Sequence, residues 1–186
     1  MPSAKPEELA VAIIECVDAG ARVVNLSVAL AQPSSRGERE LEEALNYAAR
    51  SGVIIVAASG NQGAIGSSPI TRHPWVIPVV ACDLQGRPIS LSNLGSSIGR
   101  QGLCAPGDAI TSLGAEGKPL TLGGTSIAAP FVTGAIALLW SVFPSATAVE
   151  IKLAVTQAST PRRITIVPPL LDAWSAYQVM VKIHPE

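Results

Sequence analysis

Two periodicities of apolar residues divide the first third of the chain into helices and strands. At 3–19 and 38–50 the apolar side chains recur every three or four residues, the pattern of amphipathic helices, with Ser3 as the expected N-cap of the first. Two β-branched runs, 22–30 and 53–58, predict strands, and the second run is apolar throughout. Two such strands joined by a helix predict a right-handed βαβ unit with a buried parallel sheet.

Short apolar runs alternate with glycine- and proline-rich turns along the next part of the chain. The longest apolar stretch begins at Gly123 and continues at helical spacing to Val142. We expect strands at 75–82, 89–93, 109–113 and 118–122, helices at 147–158 and 171–181, and loops or turns at 32–37, 64–74, 105–108 and 160–169.

Composition favours an α/β fold and disfavours several classes of partner. Hydrophobic residues make up 48% of the 186 residues and charged residues only 15%, as in parallel sheets covered on both faces. A net charge of −1 favours neither nucleic acid nor an anionic membrane surface as a partner. The apolar run 127–143 is interrupted by Pro130 and is shorter than the roughly 20 residues of a membrane span, so it predicts a buried core helix.

Cysteine usage and the N-terminal residues suggest a cytoplasmic protein without a metal or cofactor. Cys16, Cys82 and Cys104 lie far apart without metal-ligand spacing, and we expect them to be buried thiols in a reducing compartment. The N-terminal residues are polar and do not resemble a signal peptide. No glycine-rich phosphate loop follows a strand, which disfavours a nucleotide-binding domain.

The candidate chemistry centres on 123–130, Gly-Gly-Thr-Ser-Ile-Ala-Ala-Pro. We expect Thr125 to be the N-cap of the long helix, with Ser126 where the first N–H groups favour negative charge. Pro130 is expected near the first turn, where a missing N–H costs little. This segment alone is consistent both with a nucleophilic Ser126 and with an unreactive serine in a capped, buried helix.

Four segments, in order, resemble the subtilisin-like serine proteases, or subtilases. The low charge is also similar to that of the subtilases that process cyanobactin-type precursors. The resemblance implies a three-layer subtilisin-like α/β fold, with a mostly parallel sheet flanked by helices, and residues 1–186 as a single partial domain lacking its N-terminal part. The matching segments are Val-Val-Asn-Leu-Ser-Val at 23–28, Ile-Ile-Val-Ala-Ala-Ser-Gly-Asn-Gln-Gly at 54–63, the stretch 77–107 with Ser-Leu-Ser-Asn and Ala-Pro-Gly, and Gly-Thr-Ser-x-Ala-x-Pro at 124–130.

The resemblance also implies roles for individual residues. Ser126 would be the nucleophile, and Asn61 would donate its side-chain amide N–H to the oxyanion of the tetrahedral intermediate. A turn residue in the left-handed region is the alternative for Asn61. In many subtilases the cleft strand has glycines where this chain has Ala29 and Leu30. The implied substrate-binding residues are Ser27, Val28, Ala29, Ala58, Ser59 and Gly60.

The serine needs a general base and an orienting carboxylate, and in subtilases both precede the matched segments. Neither histidine matches the catalytic one: His73 is expected on the surface, and His184 in a frayed terminus. We therefore expect a serine endopeptidase of peptides or proteins, inactive alone, whose Asp and His come from another segment or chain. The alternative is a non-catalytic module that binds peptides or partners.

The family's aspartate-bearing strand pairs beside the strand predicted at 22–28. Without that neighbour the apolar edge of the sheet would be unpaired, which favours association between copies. We therefore expect a homo-oligomer formed through this edge, or poor solubility.

Overall fold

The computed structural model describes residues 3–30, 35–157 and 165–185, which form helices around a parallel sheet. The elements are numbered in chain order. The strands are β1 (Ser3–Ala4), β2 (Val23–Leu26), β3 (Ala29–Leu30), β4 (Ile54–Ala58), β5 (Ile77–Cys82), β6 (Leu103–Pro106), β7 (Ile110–Leu113) and β8 (Pro119–Leu122), and the helices are α1 (Pro6–Asp18), α2 (Ser35–Arg50), α3 (Pro69–Arg72), α4 (Ser96–Gln101), α5 (Thr125–Val142), α6 (Ala148–Gln157) and α7 (Ala173–Ile183).

The main sheet has the strand order β2-β4-β5-β6, and each neighbouring pair is parallel. Central strand β4 is buried at all five positions, as its unbroken apolar run predicts. Its side chains alternate between two cores: Ile54 and Val56 pack in the core that includes α5, whereas Ile55 and Ala57 pack with α1 and α2. The predicted three-layer α/β architecture is therefore confirmed.

Two small sheets lie outside the main one. β1 pairs in parallel with β3, and β7 pairs antiparallel with β8. The β7–β8 hairpin leads directly into α5, so it fixes the direction from which the chain enters that helix.

The predicted strand at 22–30 is interrupted, and the one at 89–93 is absent. β2 ends at Leu26, and Ser27 and Val28 separate it from β3. Residues 89–93 form a turn because the Ser92 hydroxyl bonds both backbone groups of Ala81: it donates to the carbonyl at 3.0 Å and accepts from the N–H at 3.1 Å. These bonds occupy the positions that a ladder partner would take.

Several predicted ends and loops also differ. The N-cap of α1 is Lys5, because Pro6 suits the first helical position, and Ser3 lies in β1 instead. Ala105 and Pro106 continue β6 rather than beginning a turn. The loop at 64–74 contains α3, and α4 was not predicted at all. The predicted loops at 32–37 and 160–169 fall partly outside the described residues.

Helix α5 is long and apolar enough to cross a membrane by length and composition alone. It packs across β2, β4, β5 and β6, as a core helix does, although Phe131 and Leu138 on its outer side are exposed. The prediction of three buried thiols is wrong for Cys16, which is exposed on α1. Cys82 and Cys104 are buried, and burial raises the pKa of Cys104 to about 12.

Candidate active site

The N-terminus of α5 is built on Gly124, and the prediction of Thr125 as N-cap is wrong. Gly124 is the N-cap, and Thr125 is the first helical residue. The N–H of Gly124 donates to the carbonyl of Gly107 at 2.8 Å, and the Gly107 N–H donates to the Cys82 carbonyl at 3.0 Å. These bonds join the start of α5 to the carboxyl end of β5, the edge of a parallel sheet where functional side chains commonly collect.

Asn61 follows the carboxyl end of the neighbouring strand β4 and contacts the start of α5 directly. Its Oδ1 accepts from the backbone N–H of Thr125 at 2.9 Å and from the Thr125 hydroxyl at 2.9 Å. The Thr125 hydroxyl in turn accepts from the N–H of Gly60 at 3.2 Å. Because Oδ1 takes both bonds, the orientation of the Asn61 side-chain amide is fixed relative to Ser126, the next residue in the helix.

Gly124 admits no other residue. Its φ of +118° lies in the region that side chains disfavour. A Cβ built there would lie 3.0 Å from Nδ2 and 3.2 Å from Oδ1 of Asn61. Any side chain at position 124 would therefore push the Asn61 amide away.

The loop that carries Asn61 is held by Asn93, which sequence reasoning did not assign a role. The Oδ1 of Asn93 accepts from the N–H groups of Gln62 and Ala64, each at 3.0 Å. The backbone N–H of Asn93 donates to the carbonyl of Gly60 at 2.9 Å. The sequence did contain a signal for this role: Asn93 is the last residue of the Ser-Leu-Ser-Asn segment that resembles the subtilases, and asparagine is common in turns. Thr125 was likewise missed as the residue that orients Asn61.

Ser126 is half-buried at the second position of α5. Its Oγ is buried and has no hydrogen-bond partner among the described residues. Buried hydroxyls normally have a partner, so an unpartnered one at a helix N-terminus is consistent with a reactive group. The structure therefore brings Ser126 and Asn61 together at the carboxyl end of the sheet, as their proposed chemistry requires.

The predicted substrate-binding residues lie at the carboxyl ends of β2 and β4. Ala58 and Ser59 are buried, with the Ser59 N–H donating to the Val79 carbonyl at 2.9 Å. Gly60 is half-buried and has a φ of +108°. A Cβ at Gly60 would lie 2.3 Å from Nδ2 of Asn93, so the loop requires glycine there.

On the other side of the site, Ser27 and Val28 are half-buried. The backbone of Ala29 pairs with that of Ser3 in the small sheet of β1 and β3. An extended peptide that runs along β3 must therefore use its other edge or displace β1.

Both histidines of the sequence lie away from Ser126. His73 precedes β5, at the amino end of the sheet, and is buried rather than on the surface. His184 is not frayed: it lies 3.6 Å from the Glu150 carboxylate and its ring is 6.1 Å from that of Phe143. Phe143 follows the last residue of α5, whose 18 residues make it roughly 27 Å long. Within 3–30, 35–157 and 165–185, no group of three or more metal-ligating side chains could hold a metal ion.

The family model described as the Subtilase family matches residues 2–170. The chain belongs to the subtilase family. It is 34% identical over 138 residues to the thermostable alkaline protease of Halalkalibacterium halodurans, covering 74% of this chain and 36% of the relative. It is also 34% identical over 145 residues to subtilisin DY of Bacillus licheniformis, covering 76% and 50%. The chain thus spans about a third to a half of these curated subtilases.

Solved structures with the same fold include maturation proteases of cyanobactin type. The prenylagaramide maturation protease PagA has a TM-score of 0.83 at 29% identity, over 95% of this chain and 68% of that one. The self-cleaved protease domain of PatA has a TM-score of 0.83 at 29% identity, over 96% of this chain and 69% of that one. The PatG macrocyclase in complex with peptide has a TM-score of 0.81 at 26% identity, over 95% of this chain and 57% of that one.

Proposed function

We propose that this chain carries the nucleophile and the oxyanion-binding side chain of a serine-type endopeptidase that acts on peptides or proteins. The observation that carries the proposal is the contact between the Asn61 loop and the start of α5, which sets a fixed carboxamide beside the Ser126 turn. Membership of the subtilase family supports it. Similarity to a macrocyclase solved with peptide supports a peptide as substrate.

In this reaction the Ser126 Oγ attacks the carbonyl carbon of the scissile peptide bond, and the carbonyl oxygen becomes negatively charged. The Nδ2–H of Asn61 and the backbone N–H of Ser126 would donate to that oxyanion. Ala58, Ser59, Gly60 and the segment 27–29 would bind the substrate backbone. The Ser126 proton must pass to a base and then to the leaving amine, and an aspartate must hold that base in orientation.

We propose that a segment or chain outside residues 1–186 supplies the histidine and the aspartate, so that these residues form one part of a subtilase catalytic domain. The coverage of only 57–70% of several neighbouring structures is consistent with a larger catalytic unit. Among the described residues β2 pairs with β4 alone, and α5 beside it exposes Leu138 and Val142 at 70% and 57%. This sheet edge and helix face are the proposed docking surface. A cytoplasmic location stays a prediction.

The alternative is a non-catalytic subtilase module that binds peptides, and the positions of the histidines favour it. His73 lies at the opposite end of the sheet from Ser126. The His184 ring lies 6.1 Å from that of Phe143, which follows the last residue of α5. Without a base, only the smaller contribution of oxyanion binding would remain.

Labelling of Ser126 by a fluorophosphonate separates the two. The chain alone should react slowly, and the chain mixed or fused with the Asp- and His-bearing segment of a subtilase should react at least about 10³-fold faster. Ser126→Ala, the control, should abolish labelling. Rapid labelling of the isolated chain would show that no outside base is needed, and slow labelling of the assembled pair would favour the binding module.

Light scattering tests the docking surface itself. The isolated chain should self-associate, and Leu138→Ser should reduce association because it removes exposed apolar area from α5. Leu84→Ser is the matched control, since Leu84 is 83% exposed in the turn that follows β5 and is not part of the proposed docking surface. A monomeric wild-type chain, or equal effects of both variants, would contradict this surface.

A further inference from the structure

We propose that Ser27 is a positioning residue: its hydroxyl replaces the hydrogen bond that Pro130 removes from the Ser126 turn. The catalytic consequence of this inference rests on the proposed function, whereas the hydrogen bonds that support it do not. Substrate binding by Ser27 stays a prediction, and the side-chain contact that the structure gives it is with the backbone of the candidate nucleophile.

The need for this contact arises inside α5. Pro130, expected near the first turn, is the sixth residue of the helix and lies just beyond that turn. In an α-helix, the N–H of a residue donates to the carbonyl four residues earlier, and proline has no N–H. The carbonyl that loses its donor is that of Ser126.

Ser27 supplies the missing donor from another element. Its Oγ donates to the Ser126 carbonyl at 3.2 Å. Ser27 can reach it because β2 ends at Leu26, so the chain leaves the sheet directly beside the first turn of α5. The break in the predicted strand 22–30 thus places a hydroxyl where the helix lacks a donor.

Two further side chains set the direction of the Ser27 hydroxyl. Asn25 donates from Nδ2 to the Ser27 Oγ at 2.9 Å. Because Oγ accepts there, its own proton is available for the Ser126 carbonyl. The Thr133 hydroxyl lies 3.2 Å from Oδ1 of Asn25 and 3.1 Å from the Ala129 carbonyl, so its single proton is shared between these two acceptors. The hydrogen bonds therefore run from Asn25 to the Ser27 hydroxyl, and from that hydroxyl to the Ser126 carbonyl.

The consequence is that the Ser126 turn is held from two sides. Asn61 binds the N–H and hydroxyl of Thr125, and Ser27 binds the carbonyl of Ser126. A turn held this way keeps its N–H groups aligned toward developing negative charge, which preorganised sites require. The Ser27 side chain would act through the Ser126 backbone, which leaves the backbone of 27–29 for the proposed contact with substrate.

The reactivity of a thiol at position 126 measures this alignment without any catalytic base. In a Ser126→Cys chain that also carries Cys16→Ser, the rate of alkylation by iodoacetamide is followed from pH 5 to pH 10, with modification located by peptide mass analysis. A helix N-terminus lowers a thiol pKa. Adding Ser27→Ala should raise the apparent pKa of the thiol and slow alkylation at pH 7 about three- to tenfold, the range of one ordinary hydrogen bond.

Conservative and matched variants separate positioning from general stability. Ser27→Thr keeps the hydroxyl and should restore the rate, and Asn25→Ala should slow it in the same direction as Ser27→Ala but less. Ser141→Ala is the matched control, since its hydroxyl also donates to an α5 carbonyl, that of Leu138 at 2.7 Å, near the other end. It should leave the alkylation profile unchanged.

The decisive comparison uses Pro130→Ala, which returns an N–H to α5. In that background Ser27→Ala should slow alkylation less than twofold, because the Ser126 carbonyl regains its helical donor. An equal effect of Ser27→Ala in both backgrounds, or no effect in either, would overturn the proposal. Absence of peptide hydrolysis after assembly with the Asp- and His-bearing segment would instead count against the proposed function, and leave this result standing.

Discussion

The two ends of the parallel sheet differ in where their polar groups find partners. At the carboxyl end, uncharged groups from Asn61, Thr125 and Ser27 surround a serine whose Oγ has no hydrogen-bond partner among the described residues. At the amino end, two titratable residues with shifted pKa values, His73 and Lys152, each have a partner.

Burial at the amino end explains both pKa shifts, and each side chain is held in its buried position by specific contacts. His73 Nε2 lies 3.2 Å from Oδ1 of Asn46, and its Nδ1 accepts from the Trp75 N–H at 3.3 Å. Lys152 Nζ donates to the Pro74 carbonyl at 2.7 Å and lies 4.7 Å from the centre of the Trp75 ring. Burial lowers the pKa of His73 and lowers that of Lys152 to about 8.

Shifted pKa values alone do not locate the candidate site, because they occur at both ends of the sheet. Cys82 and Asp83, where β5 ends, have shifted pKa values as His73 and Lys152 do. Shifted pKa values are enriched at functional sites, but structural contacts shift them as well. The side chains of His73 and Lys152 anchor the segment 73–75 to α2 and α6, so their shifts reflect packing.

Among the described residues Ser59, Ser97 and Ser126 each have a buried Oγ without a hydrogen-bond partner. What distinguishes Ser126 is the contact of the Asn61 carboxamide with Thr125 at the start of its helix.

The largest expected effect is at the carboxyl end, on Asn61. Asn61→Asp keeps the oxygen that accepts from Thr125 but removes the N–H donor to the oxyanion. In the assembled protein it should slow peptide hydrolysis about 10²- to 10³-fold, the range found when subtilisin itself loses one oxyanion donor. Steady-state rates with a chromogenic peptide measure this.

Asn61→Ala separates the two roles of the side chain. It removes the donor and also the acceptor of Thr125, so it should slow hydrolysis equally and lower the free energy of unfolding by about 1–3 kcal/mol more than Asn61→Asp does. Urea titrations measure the stability difference. Unchanged hydrolysis in both variants would exclude Asn61 as an oxyanion donor.

A smaller effect, on stability alone, is expected at the amino end from Trp75→Phe. The indole N–H of Trp75 donates to the Val53 carbonyl at 2.7 Å, and phenylalanine leaves that carbonyl without this donor. The free energy of unfolding should fall by about 1–3 kcal/mol. Fluorophosphonate labelling of the assembled protein should be unchanged, and a matching loss of labelling would mean that the two ends are coupled.

How much of this contrast is visible in the sequence depends on the range of the interactions. The central strand, the amphipathic helix before it and the Ser126 motif follow from local periodicity and turn residues. The turn at 89–93 and the contact of Ser27 with α5 do not, because each is a hydroxyl that bonds backbone distant in sequence: Ser92 to Ala81, and Ser27 to Ser126. His73 was expected on the surface, but its side chain is buried, and its Nε2 lies 3.2 Å from Oδ1 of Asn46 in α2, 27 residues away.

The smallest expected effect is a pH dependence of stability carried by His73. Because burial lowers the folded-state pKa below 6.5, the unfolded chain binds the proton more tightly between the folded-state pKa and 6.5. Stability should therefore be full above pH 6.5 and fall as the pH drops below it, with a slope of at most about 1.4 kcal/mol per pH unit for one proton.

His73→Gln, which cannot titrate, should remove the part of this slope that lies between pH 6.5 and pH 5. Asp83, Glu150 and Asp172 also have pKa values lowered by hydrogen bonds to their carboxylates, so their stabilising contribution is lost only at lower pH, as they become protonated. Urea titrations of both chains at half-unit intervals separate the two windows. Equal slopes above pH 5 would mean that the buried ring at the amino end of the sheet accepts a proton without cost, and that its contacts with Asn46 and Trp75 are not those of a neutral imidazole.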